Sequence, residues 1–248
     1  MTTNTLVSPG PPAIRLRLAD RYFYFGMAIL IAVIVLYGFS NTVGGNLFHP
    51  VHPAIARPHI LYLHAALFLS WIALFVVQTA LIRARNLRLH RRLGVFGVVL
   101  GISMFWVGLV TAIVMRKYRL AHDSTETAAF LAIPFNDLLD FTIAFALALA
   151  WRQKPELHRR LMLFATIALT GAAFARFPLA MMNNPWFFYV GTDLLVAIAA
   201  VRDLVTTRRI HPVYLLGLPA MMCGEYGGVY LFLHQPPAWL AICRFMLG

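Results

Sequence analysis

Asp137, Asp140, Asp193, Glu225 and Arg176 each lie inside a stretch of the chain that is otherwise apolar. Ionisable groups in that setting exchange protons, hold a cation, pair with one another or serve as general acids and bases. Each costs roughly 2.5 to 3.5 kcal/mol at the centre of an isolated membrane helix, so five facing lipid would cost on the order of 13 kcal/mol. They are therefore expected to face one another or water. Helical spacing puts Asn136, Asp137 and Asp140 on one face, which continues into Ala144 and Ala148. Arg176 extends the stripe Ala165, Ala168, Ala172, and Asp193 continues into Ala197 and Ala200. Small residues mark close helix contact, so the ionisable groups are expected on packed faces, in a shared pocket or as separate interhelical bonds. Four carboxyl groups outnumber the one guanidinium, which favours proton or cation binding over a simple anion receptor. Asp137 and Asp140 are expected to share a proton, and Arg176 to contact at least one of Asp137, Asp140 and Asp193.

The histidines offer a second chemistry. His59 and His64 stand near the same ends as the carboxyls and are candidate ligands for a divalent metal such as zinc, manganese or iron. The proline-rich stretch from Phe48 to His59, with His49 and His52, is expected to fold back over the mouth of the pocket. No HExxH spacing is present, and the isolated His122 and His234 read as solvated loop residues. Haem is disfavoured, because bis-histidine ligation needs imidazoles at matching depth on facing helices and only His64 is well embedded. Retinal is excluded, since Lys117 and Lys154 are the only lysines and both fall between apolar runs. His64, Trp71 and Gln78 recur every seven residues and form a stripe, as core or as lining. Gly94, Gly97, Gly101 and Gly108, and the Gly224–Gly228 step, read as close helix crossings.

The elements that must position these groups follow from composition. Of the 248 residues 60% are apolar and 12% charged, and the mean hydropathy is +0.74, which excludes a soluble domain and a disordered chain. Seven runs approach the roughly 20 residues that cross a bilayer: 22–39, 60–82, 93–115, 130–151, 161–182, 186–201 and 213–233. The expected class is all-α, a polytopic membrane bundle of seven transmembrane helices. Residues 1–21 form a cytoplasmic segment, 22–234 the bundle and 235–248 an outer tail. The net charge of +12 sits in short basic clusters, which suits anionic lipid headgroups and argues against nucleic acid. Arginines and lysines at 15–21, 83–92, 152–160 and 202–209 far outnumber those at 57, 116–119 and 244, so the topology is N-in, C-out.

Leu89-His90-Arg91-Arg92-Leu93-Gly94 opens the third run, Leu157-His158-Arg159-Arg160-Leu161-Met162 the fifth, and Ile210-His211-Pro212-Val213 the seventh. This is one helix followed by three helical hairpin repeats. With His64-Ala65-Ala66-Leu67, Trp71, Gln78 and the Asp193 to Pro212 segment, the chain resembles a family of uncharacterised bacterial multi-pass inner-membrane proteins. LHRRLM is also similar to small membrane proteins associated with cytochrome oxidase assembly. The resemblance implies location and topology, and no activity. The residues themselves leave three functions open: a proton- or cation-coupled transporter or carrier, a membrane-embedded metal enzyme acting on a lipid, and a structural or assembly subunit of a membrane complex.

Overall fold

The computed structural model describes residues 11–48 and 57–248, with side chains described at 22–40 and 57–248. The expected fold-back of His49 and His52 lies outside the described residues. Among these the chain is helical with no strand: α1 Pro11–Phe48, α2 Ile60–Arg83, α3 Leu87–His122, α4 Ala132–Ala150, α5 Pro155–Ala168, α6 Gly171–Phe174, α7 Val190–Thr207, α8 Pro212–His234 and α9 Pro237–Leu247. The segments Tyr22–Ser40, Ile60–Arg83, Leu87–His122 and Ala128–Ala150 are long and apolar enough to cross a membrane. The chain is thus a helical membrane protein.

Short basic turns join the helices into pairs. Between α2 and α3, Arg85 adopts φ 58° and the Asn86 side chain accepts the Leu89 N–H at 3.1 Å, capping α3. Pro155 occupies the first turn of α5, where its missing N–H costs nothing. Arg208 at φ 59° ends α7, and His211 Nδ1 accepts the Val213 N–H at 3.2 Å to start α8. The pairs α2/α3, α4/α5 and α7/α8 pack along one another, α1 lies against α2 and α6, and α4 lies against α8.

Several stretches depart from the hydropathy runs: α1 extends from Pro11 to Phe48, beyond 22–39, and α7 lies at Val190–Thr207, displaced from 186–201 because Pro185–Phe187 forms a 3₁₀ turn. The third helix continues seven residues past Met115, because Arg116, Lys117, Arg119, Leu120 and Ala121 are good helix formers and Arg116 finds a partner. Its guanidinium binds Glu126 and lies over the Phe130 ring at 4.3 Å, while Arg119 binds the other oxygen of Glu126 at 2.9 Å. Burial alone pushes the Glu126 carboxyl up, but Arg119 and Arg116 outweigh it and hold the group below its ordinary range. The expected fifth run, 161–182, is broken. Thr170 bonds the Ile167 carbonyl through both its hydroxyl (2.7 Å) and its N–H (2.8 Å), ending α5, and only a single turn of helix, α6, follows. From 175 to 189 the backbone forms just the 3₁₀ turns Ala180–Asn183 and Pro185–Phe187. Pro178 and Pro185 interrupt this stretch, and its apolar residues carry hydropathy without helical continuity. The C-terminal segment, expected as a tail, is the helix α9. Pro236 and Pro237 stop α8 and restart the chain, and Trp239 Nε1 donates to the Ala129 carbonyl at 3.0 Å.

In lipid the hydrophobic effect does not drive helices together, so contacts rest on close packing and polar pairs. Trp71 of α2 meets Phe141 and Phe145 of α4 edge-on at 5.2 and 5.4 Å. Gly101 and Gly108 of α3 leave the space that Phe145 and Leu138 fill, and Gly38 of α1 lies directly against the Ala173 backbone of α6. Gly228 approaches the Ala132 carbonyl, and Gly224 approaches the Asn136 side chain, so the Gly224–Gly228 step is the crossing of α8 on α4. Large apolar side chains such as Leu36, Val95, Trp106 and Leu216 remain exposed around the outside, the surface a bilayer would cover.

Candidate functional site

The α8/α4 crossing positions the carboxyls. With no Cβ at Gly224, α8 comes near enough for Glu225 to stand beside the polar face of α4. On that face Asn136 Nδ2 donates to Asp140 Oδ2 at 2.9 Å, one helical turn away. Asp137 Oδ1 accepts the hydroxyl of Tyr189 at 2.7 Å; Tyr189 is buried and immediately precedes α7. Asp193, in the first turn of α7, accepts the Tyr226 hydroxyl of α8 at 3.2 Å and lies against the carboxyl of Glu225. Glu225 is only 1% exposed and within electrostatic reach of Asp137 and Asp140 as well as Asp193. Asp137, Asp140, Asp193, Glu225 and Asn136 therefore form one cluster drawn from α4, α7 and α8. The N-terminus of α7 supplies partial positive charge beside Asp193, and the two tyrosine hydroxyls supply donors.

Arg176 does not join this cluster. Its guanidinium donates to the Ala172 carbonyl and lies over the Phe39 ring at 4.4 Å, within electrostatic reach of His64 and Arg119. It forms no ion pair among the described residues, so the expected contact with Asp137, Asp140 or Asp193 is absent. The reason is the break after α5: the chain turns at Thr170 and carries Arg176 toward α1, whereas the acids face the α4/α8 crossing.

The histidines also stand apart from the carboxyls. His59 is exposed at the start of α2, and His64 stacks on Phe68 with ring centroids 4.1 Å apart. Among the described residues no group of three or more His, Cys, Asp or Glu side chains is placed to hold a metal ion. His122 and His234 each bond the carbonyl four residues earlier and stack on a tyrosine, at Tyr118 and Tyr230. Two of the three repeat histidines serve the helix ends: His158 Nδ1 bonds the Ala148 carbonyl at 2.8 Å and His211 caps α8, whereas at His90 only the backbone carbonyl is bonded, by Gln78 at 3.2 Å, and Nδ1 has no partner among the described residues.

A second charged cluster, which the hydropathy runs do not predict, lies elsewhere in the bundle. Arg160 of α5 and Asp203 of α7 form a bidentate pair at 2.7 and 3.0 Å, with side chains 3% and 0% exposed. Glu156 binds Arg160 at 2.5 Å and Arg159 at 2.6 Å, Arg202 binds Asp203 at 2.7 Å, and Arg159 and Arg202 both lie over the Tyr24 ring of α1. This network ties α1, α5 and α7 together at the end opposite the carboxyls. Asp203 lies ten residues after Asp193 on the same helix, a separation of about 15 Å, and that spacing was the available signal. Compared with family models, with characterised proteins and with solved structures, the chain matches none.

Proposed function

We propose that this chain is a seven-crossing protein of a bacterial inner membrane, N-terminus inside, and that it acts as a proton- or cation-coupled transporter or carrier whose coupling site is the cluster Asp137, Asp140, Asp193 and Glu225. In this reading α1, α2, α3, α4, α5 with α6, α7 and α8 are the crossings, and membrane lipids are its surroundings on every side. The observation that carries the reading is the convergence of four carboxyls from three different helices, the buried Glu225 and the half-buried Asp137, Asp140 and Asp193, with hydroxyl and amide donors but no guanidinium among them. A scaffold has no need of that arrangement, because one hydrogen bond per helix pair holds a bundle and each further buried carboxylate raises the cost of assembly. The broken fifth crossing supports the reading too, since interrupted helices in membranes are tolerated where they border a site within the protein.

The test is proton movement into vesicles carrying the purified protein and a trapped pH-sensitive dye, under an imposed pH gradient. Flux above that of protein-free vesicles is expected for the wild type, and flux at the protein-free level for Asp140→Asn. Equal flux in wild type, Asp140→Asn and protein-free vesicles would remove the coupling role.

A further inference from the structure

Glu225 is 99% buried by its 1% exposure, yet its Oε2 has no hydrogen-bond partner among the described residues. The same holds for Oδ1 of Asp193, whose other oxygen accepts from Tyr226. The two carboxyls lie side by side. Two ionised carboxylates are acceptors only, so neither can satisfy the other; a single proton between them converts one into a donor and satisfies both oxygens at once. The rest of the surroundings offers no substitute. From α4 the cluster meets Asp137 and Asp140, both acidic, where Asn136 donates to Asp140 and Tyr189 to Asp137. From the start of α7 it meets Tyr189 and Asp193, and from α8 itself Tyr226, whose hydroxyl is given to Asp193. No arginine, lysine or histidine is among these neighbours. A metal ion is poorly served as well, because no three acid, cysteine or histidine side chains are placed to ligate one among the described residues.

From this geometry we infer that the coupling ion is the proton, and that it is held between Glu225 of α8 and Asp193 of α7. Loading adds one proton to the pair of carboxylates and turns a dianion into a hydrogen-bonded monoanion. Unloading returns that proton to water, and no other bond is made or broken. Because the two carboxyls belong to different helices, the proton is also a clamp: with it the α7/α8 contact is attractive, without it the two charges repel in a low-dielectric setting. The inference rests on the coupling reading above and names its ion and its two residues.

Infrared difference spectroscopy of the purified protein in lipid nanodiscs tests it. The wild type should show the stretch of a protonated carboxyl at neutral pH. That band should vanish in Glu225→Gln, and in Asp193→Asn it should shift in frequency, because an amide now replaces the acid partner. Sodium, potassium or zinc added at constant pH should leave it in place. Absence of the band in the wild type, its survival unshifted in both variants, or its loss on adding any of these cations would overturn the assignment. If Glu225→Gln fails to fold, the frequency in Asp193→Asn decides. Vesicle flux is a separate readout: a band behaving as described without any proton flux would end the carrier reading and leave the shared proton standing, whereas flux without the band would end the shared proton alone.

Discussion

Replacing Asp203 by alanine is expected to destabilise the protein by about 3 to 5 kcal/mol, the range for removing one partner of a buried ion pair. Arg160 would keep a guanidinium that is 3% exposed with only the exposed Glu156 as counter-charge. Arg202, which also binds Asp203, would lose that contact as well. Removing both members should behave differently. Arg160→Met combined with Asp203→Leu fills similar volume without stranding a charge, and such exchanges are often neutral or stabilising. Thermal unfolding in nanodiscs checks both: a large drop for Asp203→Ala and little or none for the double variant. A single-variant loss as small as that of an exposed pair, below about 1 kcal/mol, would mean that the network is hydrated and does not tie the helices.

Gly38→Ala should cost about 1 to 3 kcal/mol, the usual range for overpacking a close contact. A methyl group there overlaps the Ala173 carbonyl and comes within 2.9 Å of its carbon and 3.0 Å of its Cα. These are backbone atoms of α6, which cannot swing aside as a side chain does, so α1 must move outward from the bundle. Gly26, on the same helix, provides the matched control: a Cβ there meets nothing within 4 Å. Gly26→Ala gains helix propensity without a clash and should be neutral or stabilising by up to about 1 kcal/mol. If both variants unfold at the wild-type temperature, α1 does not pack on α6 as described. The contact matters to the site indirectly, since α6 follows the break at Thr170 that directs Arg176 away from the carboxyls.

Much of this arrangement was legible in the residues. The cost of ionisable groups in apolar runs predicts that Asp137, Asp140, Asp193 and Glu225 turn inward, and the Gly224 step marks where α8 meets α4. One-dimensional spacing places Arg176 with the acids only because it assumes a continuous helix. The stripe Ala165, Ala168, Ala172, Arg176 holds only if the helix runs unbroken, and Thr170 ends it. The spacing of Asp203 from Asp193 places an acid at the opposite end of α7, but its partner Arg160 is not legible in one dimension: a basic cluster at a membrane-facing turn reads as headgroup contact until α5 approaches α7. Tyr189 and Tyr226 carry no signal in one dimension, because a tyrosine in an apolar run reads as packing until the tertiary approach of α7, α4 and α8 sets its hydroxyl against Asp137 or Asp193. Helix boundaries at the ends of α3 and in α9 depended on local partners, Glu126 for Arg116 and Ala129 for Trp239, that hydropathy does not register.

If the four carboxyls act as one proton-exchanging cluster, counting released protons tests it most directly. Purified wild type in lipid nanodiscs, stepped from about pH 5 to about pH 9 in the presence of an indicator dye, should release more protons than its histidines supply. The variant combining Asp137→Asn, Asp140→Asn, Asp193→Asn and Glu225→Gln should lack that excess while keeping the contribution of the histidines. Identical release from the two proteins would contradict the account, because the four carboxyls would then hold no proton to exchange.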